Sequence, residues 1–109
     1  MKEIRCQEPW FSKIKHGIKK IEGRKGSAKY AELQPGEIIK FYCDQDSFLA
    51  EVVKVVKYLT LEDYLVAEGL ENTVPGVKSF NEAVNIYLGF NSRERLKQYD
   101  SFLAIHIKI

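Results

Sequence analysis

The segment from Glu37 to Leu59 narrows the possible folds more than any other part of the chain. Glu37-Ile38-Ile39-Lys40-Phe41-Tyr42-Cys43 and the run from Phe48 to Leu59 are both rich in branched and aromatic residues. Such side chains pack well on a pleated surface and lose rotamer freedom in a helix. Asp44-Gln45-Asp46-Ser47 between them reads as a hairpin loop. The two-residue period of a strand predicts Leu49, Val53 and Val55 on one face of the long run, with Val52, Val56 and Tyr58 on the other. An isolated hairpin is marginal in water, so the rest of the chain must cover it.

The flanking segments supply the cover. Ile4, in Glu3-Ile4-Arg5-Cys6-Gln7, predicts a short first strand. Glu8-Pro9-Trp10-Phe11 opens a helix, with Pro9 at a position where an amide proton would have no partner. Gly17 ends that helix, and residues 18–24 read as a strand with Ile21 on one face and Lys20, Glu22 and Arg24 on the other. Gln34-Pro35-Gly36 is a turn signal before the hairpin.

After the hairpin, Thr60-Leu61-Glu62-Asp63 and Ser79-Phe80-Asn81-Glu82 both match the capping box and predict two helices, ending at Gly69 and Gly89. A short helix from Arg93 to Gln98 and a closing strand around Leu103, Ile105, Ile107 and Ile109 complete the order. Mostly β with inserted helices and short connections predicts an α+β fold, a small barrel whose terminal strands pair.

Length and composition bound the remaining choices. A chain of 109 residues, 45% apolar, fits one domain, 1–109, with a core of its own. No apolar run approaches the ~18–20 residues of a membrane span, and Met1 to Gln7 carries no apolar signal region. Cys6 and Cys43 lack a C-x-x-C partner, and His16 and His106 stand apart from other ligand types. The expectation is a cytoplasmic protein in a reducing compartment, with no metal and no cofactor.

Charge is unevenly spread. Lys13, Lys15, Lys19, Lys20, Arg24, Lys25 and Lys29 stand against Glu22 alone, so residues 13–29 carry +6 and the rest of the chain −4. A concentration of that size is a footprint for phosphate, or simply a solvated face.

The run Gly17-Ile18-Lys19-Lys20-Ile21-Glu22-Gly23-Arg24 reads G-x-K-x-x-E-x-R, which resembles the defining motif of the ASCH domain family, relatives of the PUA barrel. Pro9-Trp10-Phe11 ahead of it, Pro35-Gly36-Glu37-Ile38-Ile39-Lys40-Phe41 after it (Glu37 replacing the family's usual Asp), Pro75-Gly76-Val77 and the closing strand agree in order. The resemblance implies a PUA-like β-barrel with a cleft beside the motif and a role in RNA binding or RNA metabolism. It also implies two enzymatic alternatives, since some relatives are ribonucleases and one branch comprises acetylcytidine amidohydrolases. In that branch the motif lysine matches Lys19 and a threonine nucleophile falls where this chain has Glu22; a carboxylate cannot act as that hydroxyl. The branch also uses a downstream glutamate, and Glu68 and Glu71 lie in the corresponding region.

The residues themselves suit a nucleotide. Lys19, Lys20, Arg24 and Lys25 offer charge and a planar fork to phosphate, and Glu22 offers an acceptor to an exocyclic amine. If the chain is an enzyme, Lys19 and Glu22 are the catalytic candidates, with Glu22 as base. Trp10, Tyr30, Tyr42 and Tyr58 are stacking candidates, Tyr30 the best of them beside Lys29. The plain alternative is that Glu22 and Arg24 pair and only fix the barrel mouth. The functions left open are an RNA- or nucleotide-binding module, a hydrolase of RNA or of a modified nucleoside, and a domain whose basic stretch meets an acidic protein partner.

Overall fold

The computed structural model describes residues 1–109. Along the chain run β1 (Lys2–Arg5), α1 (Trp10–Lys15), β2 (Ile21–Lys25), α2 (Ala28–Ala31), β3 (Ile38–Cys43) and β4 (Asp46–Tyr58). There follow α3 (Leu61–Glu68), α4 (Leu70–Thr73), α5 (Phe80–Phe90), α6 (Arg93–Leu96) and β5 (Phe102–Lys108). The expected hairpin forms with a tighter turn than its four-residue loop. Asp46 and Ser47 pair with Cys43 and Tyr42, leaving Asp44 and Gln45 at the tip. Asp44 takes φ 52°, a left-handed conformation that Asp tolerates better than most residues.

Five strands make one mixed sheet in the order β1-β3-β4-β5-β2, curled into a half-barrel. The expected pairing of terminal strands does not occur. β5 lies between β4 and β2, both antiparallel to it, whereas β1 runs parallel to β3 and forms the far edge.

Two cores occupy the two faces. Inside the curl, Ile4, Phe11, Ile14, Phe41, Val52 and Ile105 pack with α1 and α2. On the outer side α3, α4 and α5 cover β2, β5 and the end of β4 through Tyr64, Leu65, Val84, Tyr87 and Phe102. A bulge at Val53 inverts the expected faces of β4: Leu49 and Val53 are exposed, yet Val55 joins Val52 against the inner core. Val56 and Tyr58 turn to the outer one. One extra residue in a strand shifts everything beyond it to the other face.

Local signals hold at most boundaries. The Thr60, Ser79 and Ser92 hydroxyls accept from the amides of Asp63, Glu82 and Arg95 at 3.0, 3.1 and 3.1 Å, so the forward half of each N-terminal cap is made. Gly17 and Gly69 close their helices at φ 75° and 86°. Gly89 does not close α5, because the helix continues to Phe90 and the Asn91 amide still bonds the Tyr87 carbonyl at 3.2 Å. The expected strand over 18–24 starts late. Ile18 and Lys19 both donate their amides to the Lys13 carbonyl, at 2.9 and 3.0 Å, and remain tied to the end of α1. No helix is long and apolar enough to cross a membrane.

Candidate functional site

β1 and β2 are the two edges of the sheet, and side chains rather than a ladder fill the seam between them. Glu22 and Arg24 lie opposite Ile105 and Leu103, so both turn into the curl. Arg24 crosses the seam: Nη2 donates to the Arg5 carbonyl at 2.6 Å and Nη1 to the Tyr30 hydroxyl at 3.3 Å. Nε and Nη2 donate to Glu22 Oε2 at 3.0 and 2.7 Å. Between these residues Gly23 faces the outer core, where an added Cβ would come within 2.5 Å of the Tyr64 hydroxyl.

Lys19 completes the floor. Its Nζ donates to the carbonyls of Ile21 and Thr73 and stands 3.6 Å from Glu22 Oε1. It therefore ties α4 to β2 while remaining only 3% exposed. Burial pulls the Lys19 amine below the ordinary lysine range, with Glu22 opposing. Burial pushes the Glu22 carboxyl up, but Arg24 and Lys19 outweigh it and hold the group below the ordinary carboxylate range. For Arg24 burial works downward, and Glu22 overrides it, fixing the guanidinium charge more firmly. With Lys19 protonated, two cations face one carboxylate, and the floor carries an excess positive charge.

Above this floor opens a cleft of about 280 Å³, near the lower end of small-molecule sites. Trp10, Ile86, Phe90 and Leu96 form apolar walls, and Arg5, Gln7, Lys25 and Asn91 place cations and amides among them. Neither Arg5 nor Lys25 is in an ion pair; Lys25 Nζ stands 5.8 Å from the Tyr99 ring centroid. Burial, with Glu22 adding to it, pushes the thiol of Cys6, also in the lining, upward.

Of the residues singled out in the sequence, Lys19, Glu22, Arg24 and Lys25 are brought together in the cleft. Lys20 is exposed outside it, its carbonyl accepting from the Ile107 amide at 3.0 Å. Tyr30 is 8% exposed and packs in the inner core, beneath Arg24 rather than in the wall. Of the other stacking candidates, Trp10 lines the cleft, while Tyr42 and Tyr58 do not. The basic stretch is dispersed. Lys13 donates to the Pro75 carbonyl at 2.6 Å, Lys15 pairs with Asp46 at 2.9 Å, and Lys29 reaches the Glu3 carbonyl at 2.7 Å.

Glu68 lies outside the cleft, accepting from the Tyr58 hydroxyl at 2.5 Å with His106 Nε2 at 3.1 Å, and Glu71 is exposed. His16 is an exposed cap at the end of α1. Sequence reasoning missed Arg5, Gln7, Phe90 and Asn91. The four-residue spacing of Ile86 and Phe90 was the available signal, hidden once the helix was ended at Gly89. No cluster of three or more His, Cys, Asp or Glu side chains is placed to hold a metal ion.

A small PUA-like α+β half-barrel with a buried ionic floor at its open seam defines the class. The chain belongs to the ASCH domain family, whose model matches residues 4–108. It is similar to the crystal structure of hypothetical protein PH0355, at 39% identity and TM-score 0.88, with 99% of this chain and 98% of that one covered. It is also similar to the solution structure of protein PF0455 from Pyrococcus furiosus, at 36% identity and TM-score 0.78, covering 98% and 94%. The ASCH domain from Lactobacillus crispatus shares the fold at 20% identity and TM-score 0.62, covering 98% and 79%. No curated protein matches the chain.

Proposed function

We propose that the chain acts as one ASCH domain, in the cytoplasm, binding single-stranded RNA or a nucleotide in the seam cleft as part of RNA metabolism or its regulation. The observation that carries this reading is the division of the cleft. Its buried floor has one cation in excess over Glu22, its walls include the rings of Trp10 and Phe90, and its unpaired cations are Arg5 and Lys25. A base stacks on such walls for about 1–3 kcal/mol, while phosphates take the free cations. The family supports the same reading, since ASCH domains are generally taken to bind RNA.

The bonding of the floor favours binding over hydrolysis. Lys19 faces two carbonyls and a carboxylate, an arrangement that satisfies an ammonium and leaves no lone pair directed at a substrate. Glu22 Oε2 is already taken twice by Arg24. Incubating the protein with a labelled single-stranded RNA, and separately with N4-acetylcytidine, tests the proposal. Binding of intact RNA, weakened by Lys25→Ala, is the expected result. Turnover abolished by Lys19→Ala in a folded variant would make the chain an enzyme. Neither binding nor turnover would leave a protein-interaction domain.

A further inference from the structure

Cys6 and Cys43 are remote in the sequence and neighbours in the sheet. β1 and β3 run parallel, and Arg5 opposite Tyr42 is their last paired position. The Cys6 amide still donates to the Tyr42 carbonyl at 3.0 Å. That bond closes the Arg5–Tyr42 pair and holds Cys6 to β3, and the same register carried one residue further sets Cys6 beside Cys43. Two residues back, the register pair Ile4 and Phe41 is fully buried in the inner core. Alternation places the two cysteines on that same side: Cys6 belongs to the inner core and Cys43 packs against it. Adjacent strands lie about 4.7–4.9 Å apart, inside the ~4.4–6.8 Å between Cα atoms that a disulfide needs. Both thiols are free.

We infer that Cys6 and Cys43 form a reversible dithiol–disulfide pair, closed by exchange with a low-molecular-weight disulfide such as oxidised glutathione. Cys43 is half-buried and is the sulfur such a reagent reaches first. Its thiolate attacks the reagent, forming a mixed disulfide and releasing one glutathione thiol. Cys6 then gives up its proton and displaces the second glutathione from Cys43. Two protein S–H bonds are lost, one S–S bond forms within the chain, and the reagent leaves as two thiols. The second step is slow, because Cys6 is only 4% exposed, and burial and the negative charge of Glu22 both oppose its ionisation.

The bond has a consequence for the cleft. Cys6 lines it together with Glu22 and Arg24, and closure ties the Cys6 sulfur to β3. The oxidation state of the pair is thereby transmitted to the ionic floor, whatever ligand the cleft holds.

The test is to equilibrate the folded, reduced protein with glutathione buffers of increasing oxidised fraction, quench with an alkylating agent, and read masses and backbone amide shifts. The expected product is a monomer lighter by two hydrogens that takes up no alkylating agent and yields a cross-linked Cys6–Cys43 peptide. Dithiothreitol reverses it, and the amides of Glu22, Gly23 and Arg24 shift on oxidation. Cys6→Ala stops at a mixed disulfide on Cys43. Two thiols still alkylated at the most oxidising ratio would overturn the inference, as would a mixed disulfide on Cys43 as the end product in the unmutated chain. Closure without shifts at the three amides would overturn the link to the cleft.

Discussion

Glu22 and Arg24 stand two residues apart on β2, and the carboxylate takes two hydrogen bonds from the guanidinium, at 3.0 and 2.7 Å. On an exposed strand such a pair contributes about 0–1 kcal/mol. Here the Glu22 side chain is 8% exposed, and the same guanidinium crosses an unpaired seam of the sheet to the Arg5 carbonyl. One contact thus joins β2 to β1 and sets the floor of the cleft.

Removing the carboxylate charge leaves the buried Lys19 and the half-buried Arg24 without their counter-ion. Glu22→Gln is expected to lower stability by about 3 kcal/mol, read as a shift in the urea midpoint. Lys19→Met together with Glu22→Gln should cost at least ~1 kcal/mol less than the two single changes added. Strict additivity would mean that the two groups do not interact.

Acid should act through the same carboxylate. The Glu22 carboxyl is held below its ordinary value of 4.5 in the folded protein. The unfolded chain therefore takes up the proton more readily, and stability rises with pH across that window. The contribution is present above pH 4.5 and lost as pH falls through the folded value. Unfolding measured at steps between about pH 6 and pH 3 should show this slope, flattened in Glu22→Gln. Equal slopes in the two proteins would place the acid sensitivity elsewhere.

Two glycines should respond in opposite directions to alanine. At Gly23 the new Cβ would meet Tyr64 at 2.5 Å from the hydroxyl and 2.7 Å from Cζ. The Tyr64 ring is wedged against Phe102 and Tyr87, with centroids 4.9 and 5.5 Å away. Gly23→Ala is expected to cost about 2 kcal/mol by overpacking. Gly89, inside α5 with nothing within 4 Å of a Cβ, should gain up to about 1 kcal/mol from the same change. Thermal unfolding of both variants checks the contrast.

The cations free of ion pairs should set the salt dependence of RNA binding. Arg5→Ala/Lys25→Ala is expected to reduce the magnitude of the slope of log K against log salt by about 1–2 and to weaken binding at low salt about tenfold or more, with little change in stability. Lys15→Ala, whose charge is paired with Asp46 at 2.9 Å, should leave the slope unchanged.

Much of this arrangement was legible in the sequence because its causes are local. The branched and aromatic runs, the hydroxyl caps at Thr60 and Ser79, and the common face of Glu22 and Arg24 depend on neighbours a few residues away. What escaped depends on contacts remote in sequence. The bulge at Val53 is set by its register against Ile107 and His106, and it inverts an alternation that was otherwise correct. The basic stretch read as one surface because its partners, among them Pro75, Asp46 and the Glu3 carbonyl, lie far along the chain. Phe90 was hidden by a glycine that stays helical. The placement of β1 at the sheet edge, which creates the seam, follows from topology that no residue pattern encodes.

Whether RNA binds in the seam cleft is best decided by an NMR titration. Isotope-labelled protein is titrated with a short single-stranded RNA, and the shifting amides are mapped. Saturable shifts are expected at Gln7, Gly23, Lys25, Phe90, Asn91 and Leu96, around the cleft. Shifts confined to the outer face of β3 and β4, near Lys40 and Leu49, or no shifts at low salt, would contradict binding there.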